Sequence, residues 1–318
     1  MPPIVLTRRG QGNVFPMADS DIRSSTFGTL LTAMVTPFTS DGEVDYKQAA
    51  ELANKLVDDG CDGLVVTGTT GETSTLTDAE NLGMFRAVRD AVGGRAAIVA
   101  GTGTNDTAHS VHLSQQAAAL GVDGLLIVTP YYNKPSQAGL RAHFETVASS
   151  TDVPVMLYDI PGRSSIPIEP ETMIRLAQHP NIIAVKDAKA DFTAATRVMA
   201  ETDLLFYSGD DGLILPWMAL GAVGLVGVTT HVATRRFREL IDAVNANELG
   251  TARKIHLELE PVVRATMTRV QGAVAAKQIL KWQGVLPNSI VRLPLVEPDE
   301  AEIKTIREDL AQGGLVFS

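Results

Sequence analysis

Residues Ile182–Ala188 read I-I-A-V-K-D-A, a short apolar run entered just after His179-Pro180. Its β-branched composition is that of a strand, and its near-continuous apolarity is that of a strand covered on both faces. Seven similar runs lie around it. They are Thr29–Phe38 (TLLTAMVTPF), Gly63–Gly68 (GLVVTG), Ala96–Gly103 (AAIVAGTG) and Gly124–Pro130 (GLLIVTP), followed by Pro154–Pro161 (PVMLYDIP), Leu204–Asp211 (LLFYSGDD) and Gly224–Thr230 (GLVGVTT). Amphipathic helical stretches separate them, among them Tyr46–Asp58, Asp78–Val92, Thr107–Leu120 and Gln137–Ser149. Asp45, Thr77, Asn105 and Ser136 open these stretches as N-cap or first-turn residues.

Eight strand–helix units in roughly 220 residues is the arithmetic of an α/β fold of the (β/α)8 barrel type. A doubly wound open sheet competes poorly, because no phosphate-binding glycine fingerprint follows the first run, and Gly101-Thr102-Gly103 is too short to be one. Strand signals stop near Leu249. Residues 250–318 then read as helices, including Thr251–Met267 and Ala273–Gln283, joined through Leu293-Pro294. The expected organisation is a flexible N-terminal extension over 1–27, a barrel over 28–249 and a small C-terminal α-helical domain over 250–318.

Lysine in the opening stretch is the anomaly. A fully buried, unpaired ammonium is costly, so Lys186 must pair, reach water or give up its proton. The bland reading pairs it with an acid such as Asp187 or Asp210. The chemical reading makes it an amine poised to attack a carbonyl and form a Schiff base.

Composition narrows the setting. The 318 residues are 45% hydrophobic and 20% charged, with a net charge of −10, which disfavours nucleic acid and anionic membranes as partners. A single cysteine, Cys61, cannot form an internal disulfide and suits a reducing cytoplasm; ahead of a strand, it reads as core packing. Arg8 and Arg9 precede no apolar run, so no signal peptide is expected, and no stretch reaches the ~18 apolar residues of a membrane helix. The leader is expected to be loosely draped, with Met17 as an alternative start.

Barrel active sites lie at the carboxyl ends of the strands. Polar residues collect there: Gly68-Thr69-Thr70-Gly71-Glu72 after the second run, Tyr131-Tyr132-Asn133-Lys134 after the fourth, Tyr158 and Arg163 at the fifth, Lys186 on the sixth, and Ser208-Gly209-Asp210-Asp211 at the seventh. Tyr158 and Lys186 sit near the ends of successive strands, where a phenol could move protons for a lysine imine. Thr69 or Thr70 could extend such a relay, and the fork of Arg163 suits a carboxylate. Each residue alone has an ordinary structural role; their gathering at one end of one barrel favours catalysis. The six histidines offer one close pair, His109 and His112, so a metal site lacks ligands and surface histidines are the plainer reading.

The combination G-T-T-G-E (68–72), Y-Y-N-K-P (131–135), L-Y-D-I-P-G-R-S (157–164) and V-K-D-A (185–188) strongly resembles the dihydrodipicolinate synthase family, within the wider group of class I pyruvate-dependent lyases. The resemblance covers the chain from about residue 28 onward. It implies condensation of pyruvate with L-aspartate 4-semialdehyde to 4-hydroxy-tetrahydrodipicolinate, on the way to diaminopimelate and lysine, with no cofactor and no metal. It implies that Lys186 forms the imine, and that Tyr158, Thr69 and Tyr132 form a proton relay, Tyr132 reaching across a subunit interface of a homotetramer. Thr70 would hold the pyruvate carboxylate and Arg163 that of the semialdehyde, with backbone groups of Gly209 and Val226 lining the pocket.

Three departures accompany it. Ser165 replaces a glycine usual after the arginine motif. Asp187-Ala188-Lys189-Ala190-Asp191 replaces a small-residue segment, leaving Lys189 either near the pocket or in solvent. Positions matching a lysine-binding regulatory site are Thr73, Ser74, Asp78, Asn81, Asn105, His109 and Tyr131, with His109 where an acid is usual. Lysine is therefore expected to inhibit weakly or not at all, and strong inhibition at sub-millimolar lysine would refute this. Two other functions compete: a lyase of sugar acids or sialic acid from the same superfamily, and an inactive barrel serving as a metabolite sensor. A second carboxylate clamp argues against the first, and the intact Lys186, Tyr158 and Thr69 against the second.

Overall fold

The computed structural model describes residues 26–317; the leader and its alternative start at Met17 lie outside the described residues. Eight parallel strands close into a barrel in sequence order: β1 (Leu30–Ala33), β2 (Gly63–Val66), β3 (Ala97–Gly101), β4 (Gly124–Val128), β5 (Val155–Asp159), β6 (Ile182–Asp187), β7 (Leu205–Ser208) and β8 (Gly224–Gly227). Each falls inside its expected run. The strands are shorter than the runs because the polar tails turn into loops; Thr29–Phe38 contributes only its first half, and Phe38 bridges back to Val44.

Closure pairs β1 with β8, Leu30 opposite Leu225 and Thr32 opposite Gly227. It depends on a glycine: a Cβ at Gly224 would lie 1.8 Å from the Thr29 carbonyl oxygen. Phe27, at the edge of the expected extension, is buried with the core.

Helices cover the barrel, and their caps follow the sequence at three of four positions. Asp45 accepts from the Gln48 amide, Thr77 forms a capping box with Glu80, and Ser136 accepts from Gly139. Asn105 does not cap. Thr104 Oγ1 holds the turn through the Asp106 amide, which puts Asp106 at the cap of Thr107–Ala119.

Beyond β8 run the helices Thr230–Asn245, Leu249–Met267, Gly272–Trp282 and Glu300–Gln312. The last opens on Asp299, which forms a second capping box with Glu302. Val262, Ala265, Ile279, Ile306 and Leu310 form a small apolar cluster of their own.

Two histidines correct the surface reading. His143 and His231 lie on inward helix faces and are buried. Burial pushes each imidazole down to about 4, so both are neutral at pH 7. His231 Nε2 accepts from the Val35 amide at 3.1 Å, which fixes its tautomer with Nδ1 donating to the Val228 carbonyl at 2.7 Å. Cys61 is buried as expected; burial raises its thiol to about 12, which rules it out as a nucleophile at neutral pH.

Candidate active site

Parallel register sets Tyr158 of β5 opposite Lys186 of β6, one residue before each strand ends. Both are 5% exposed, and Lys186 Nζ lies 4.3 Å from the centre of the Tyr158 ring. Among the described residues, no carboxylate pairs with Lys186. The two acids that the bland reading offered are occupied. Asp187 Oδ1 accepts the Lys189 and Ala190 amides at 2.8 and 2.9 Å, shaping the turn after β6. Asp210 Oδ1 accepts the Gly212 amide at 2.9 Å and caps a short helical turn. A buried amine left without a counter-ion keeps its lone pair within reach whenever it gives up its proton.

Thr69 and Thr70 lie on a 3-10 turn, Thr69–Gly71, that follows β2. Thr36 Oγ1 donates to the Gly71 carbonyl at 2.7 Å, and the turn ends at Glu72 with φ of 57°. Glu72 faces away from the mouth. Its carboxylate makes a buried ion pair with Lys277 and accepts the Arg292 amide at 2.9 Å. Lys277 also donates to the Ile290 carbonyl at 2.8 Å and sits 4.0 Å from the centre of the Phe38 ring. Burial pushes its ammonium down to about 8, and Glu72 opposes the shift. This clamp was missed in the sequence, although a lysine inside A-A-K-Q-I-L is the same kind of anomaly as Lys186.

A cavity of about 390 Å³ opens at this end of the barrel, lined by Thr69, Tyr158 and Arg163. Arg163 is exposed, on the short helical turn Pro161–Ser164, and its guanidinium has no ion pair or hydrogen bond among the described residues. Ser165 closes that turn in the left-handed region, φ 69°, which explains why glycine would suit the position. Thr70 is buried. The Gly209 amide donates to the Asp187 carbonyl at 2.7 Å, and a Cβ there would lie 2.9 Å from that oxygen. Val226 faces β1 in the barrel wall, paired with Leu31.

Of the expected site residues, Thr69, Tyr158 and Arg163 line this cavity, and Tyr132 stands apart from it. It projects from the surface, 89% exposed, whereas Tyr131 lines the cavity. The residues of the candidate regulatory site, Thr73, Ser74, Asp78, Asn81, Asn105 and His109, line the same cavity. Thr73 donates to Asn81 Oδ1 at 3.2 Å, and His109 Nε2 meets Asp78 Oδ1 at 2.9 Å. Lys189, whose place the sequence left open, is tied down beside the barrel: it pairs with buried Asp159 at 3.1 Å.

Among the described residues, no group of three or more His, Cys, Asp or Glu could hold a metal ion, and no helix is long and apolar enough to cross a membrane. Fold and cavity together define the class, a (β/α)8-barrel enzyme with its site at the carboxyl ends of the strands.

The model of the dihydrodipicolinate synthetase family matches residues 26–313. The 4-hydroxy-tetrahydrodipicolinate synthase of Kineococcus radiotolerans is 54% identical over 289 residues, 91% of this chain and 94% of that protein. A crystal structure of a dihydrodipicolinate synthase from Bacillus anthracis superposes with a TM-score of 0.86 at 41% identity, covering 93% of this chain and 99% of that one. The enzyme of Cyanidioschyzon merolae, crystallised with lysine bound, gives 0.88 at 38% identity, covering 92% and 99%. This chain belongs to the dihydrodipicolinate synthetase family.

Proposed function

We propose that this chain is a lyase that condenses pyruvate with L-aspartate 4-semialdehyde to give 4-hydroxy-tetrahydrodipicolinate, with Lys186 as the imine-forming amine. The observation that carries the residue assignment is Lys186 itself, buried, without a counter-ion among the described residues, and against the ring of Tyr158. Its relatives at 52–54% identity carry the name of that synthase.

The steps follow from the groups present. The Lys186 Nζ lone pair attacks the keto carbon of pyruvate, and the carbinolamine loses water to leave an imine. Loss of a methyl proton gives an enamine, whose carbon attacks the aldehyde of the semialdehyde. The amine of that substrate then closes the ring at the imine carbon and releases the lysine. Each step moves a proton, and Tyr158 with Thr69 supplies hydroxyls in the cavity to carry it. Arg163, free of other partners among the described residues, receives the semialdehyde carboxylate with a bidentate fork, and Thr70 helps hold that of pyruvate. In this reading backbone groups of Gly209 and Val226 would line the pocket near the lysine.

The exposure of Tyr132 supports its completing the relay of a neighbouring subunit, in a homotetramer. Sedimentation of the active enzyme tests this: a monomer turning over at full rate would sink it.

Borohydride reduction with pyruvate alone tests the main assignment. The expected result is a mass gain of one reduced pyruvate, localised to Lys186, after which aspartate semialdehyde added to unreduced enzyme gives turnover. Well-folded protein that takes up no adduct refutes it.

A further inference from the structure

Nothing in the side-chain packing explains how Arg163 is aimed. Its guanidinium has no partner among the described residues, so only the backbone of its loop places it. That loop leaves the barrel at Asp159, the last residue of β5, and returns at Ile168, ahead of the helix Pro170–Leu176. Inside the loop, Ser164 Oγ donates to the Ile160 and Ile166 carbonyls at 3.0 and 2.9 Å. At its neck, the Ile168 amide donates to Asp159 Oδ1 at 3.1 Å.

Lys189 completes the neck from the turn that follows β6. Its Nζ donates to the Ile168 carbonyl at 3.1 Å and lies 3.1 Å from Asp159 Oδ2, so one ammonium touches both ends of the loop. The side chains of Lys189 and Asp159 are 13% and 0% exposed, which makes this a buried bridge rather than a surface pair. Asp187 fixes the far end of the lever. By accepting the Lys189 and Ala190 amides it holds the turn, with Ala190 at φ 60°, from which Lys189 reaches back.

We infer that Lys189 is a positioning residue for the second substrate: it ties the neck of the Arg163 loop to the end of the strand that carries Lys186, and so sets the distance between the imine and the arginine fork. The inference rests on the proposed role of Arg163. A misplacement of about 1 Å at a substrate anchor is enough for a large kinetic effect. The effect should fall on one substrate alone, because pyruvate is held elsewhere, at the threonine turn.

The test is steady-state kinetics on Lys189→Met, Lys189→Arg, Arg163→Ala and the double variant Asp159→Asn/Lys189→Met. The double variant removes both charges, so it keeps the test alive if Lys189→Met alone fails to fold. The expected result for the double variant is a KM for aspartate semialdehyde raised about tenfold, with pyruvate KM and borohydride trapping within about twofold of the parent. Lys189→Arg should restore most of the semialdehyde KM. A lower kcat and trapping yield with both KM values unchanged would mean a merely structural bridge and overturn the inference. If Arg163→Ala raises the semialdehyde KM and the Lys189 variants do not, the bridge alone is wrong. If Arg163→Ala leaves that KM unchanged, the role of Arg163 and the inference built on it fall together.

Discussion

Two lysines in this molecule are almost fully buried, and the protein treats them in opposite ways. Lys277, 1% exposed, is enclosed: Glu72 neutralises it, the Ile290 carbonyl accepts from it and the Phe38 ring packs over it. Lys186, 5% exposed, has a phenol ring beside it and no paired carboxylate among the described residues, although Asp187 is its chain neighbour. Burial of a charge is tolerated when it is paired and hydrogen-bonded, and otherwise needs another reason. Lys277 is what a structural core lysine looks like here, and the contrast fits the chemical role proposed for Lys186.

Substituting each lysine by methionine should separate the two roles. Lys186→Met should lower kcat by at least ~10³-fold and abolish borohydride trapping, since it removes the amine proposed for the covalent step. Its unfolding free energy should stay within about 1 kcal/mol of the parent or rise, because an unpaired buried amine gives way to an apolar chain of similar length. Urea unfolding checks this, and a large loss of stability would break the comparison. Lys277→Met should show the reverse emphasis, losing about 3–5 kcal/mol because Glu72 is left charged and buried. Adding Glu72→Gln should recover most of that loss. If the double variant is no more stable than the single, the cost lies in packing against Phe38 rather than in the ion pair. A smaller kinetic effect should accompany it, since Glu72 ends the turn that carries Thr69 and Thr70.

The barrel was legible in the sequence because parallel strands covered on both faces leave continuous apolar runs, and eight of them suffice to count the units. Lys186 and Tyr158 were legible as polar residues at the ends of such runs, with register doing the rest. Partners from distant segments were not. The place of Lys189 stayed open between pocket and solvent, and Glu72 read as part of the mouth, because their carboxylate and ammonium partners lie 30 and 205 residues away. Local spacing carries no trace of such pairs. The buried histidines show a related limit: His143 sits among Leu140, Phe144 and Val147 on one helix face, whose apolar spacing points inward. Asn105 failed as a cap on a finer scale, since two adjacent capping residues differ by one position and the turn through Thr104 chose the second.

The contact between Gly224 and Thr29 has a consequence for how the molecule forms. It joins segments roughly 200 residues apart, and so is among the least local contacts in the chain. Until it is made, the first and last strands each present an unpaired row of amides and carbonyls, the template on which chains associate. Once it is made, the sheet has no edge at all. The absent side chain at Gly224 therefore guards against association as well as against a clash: it lets the last strand seat flush against the first and leaves neither edge open to another chain.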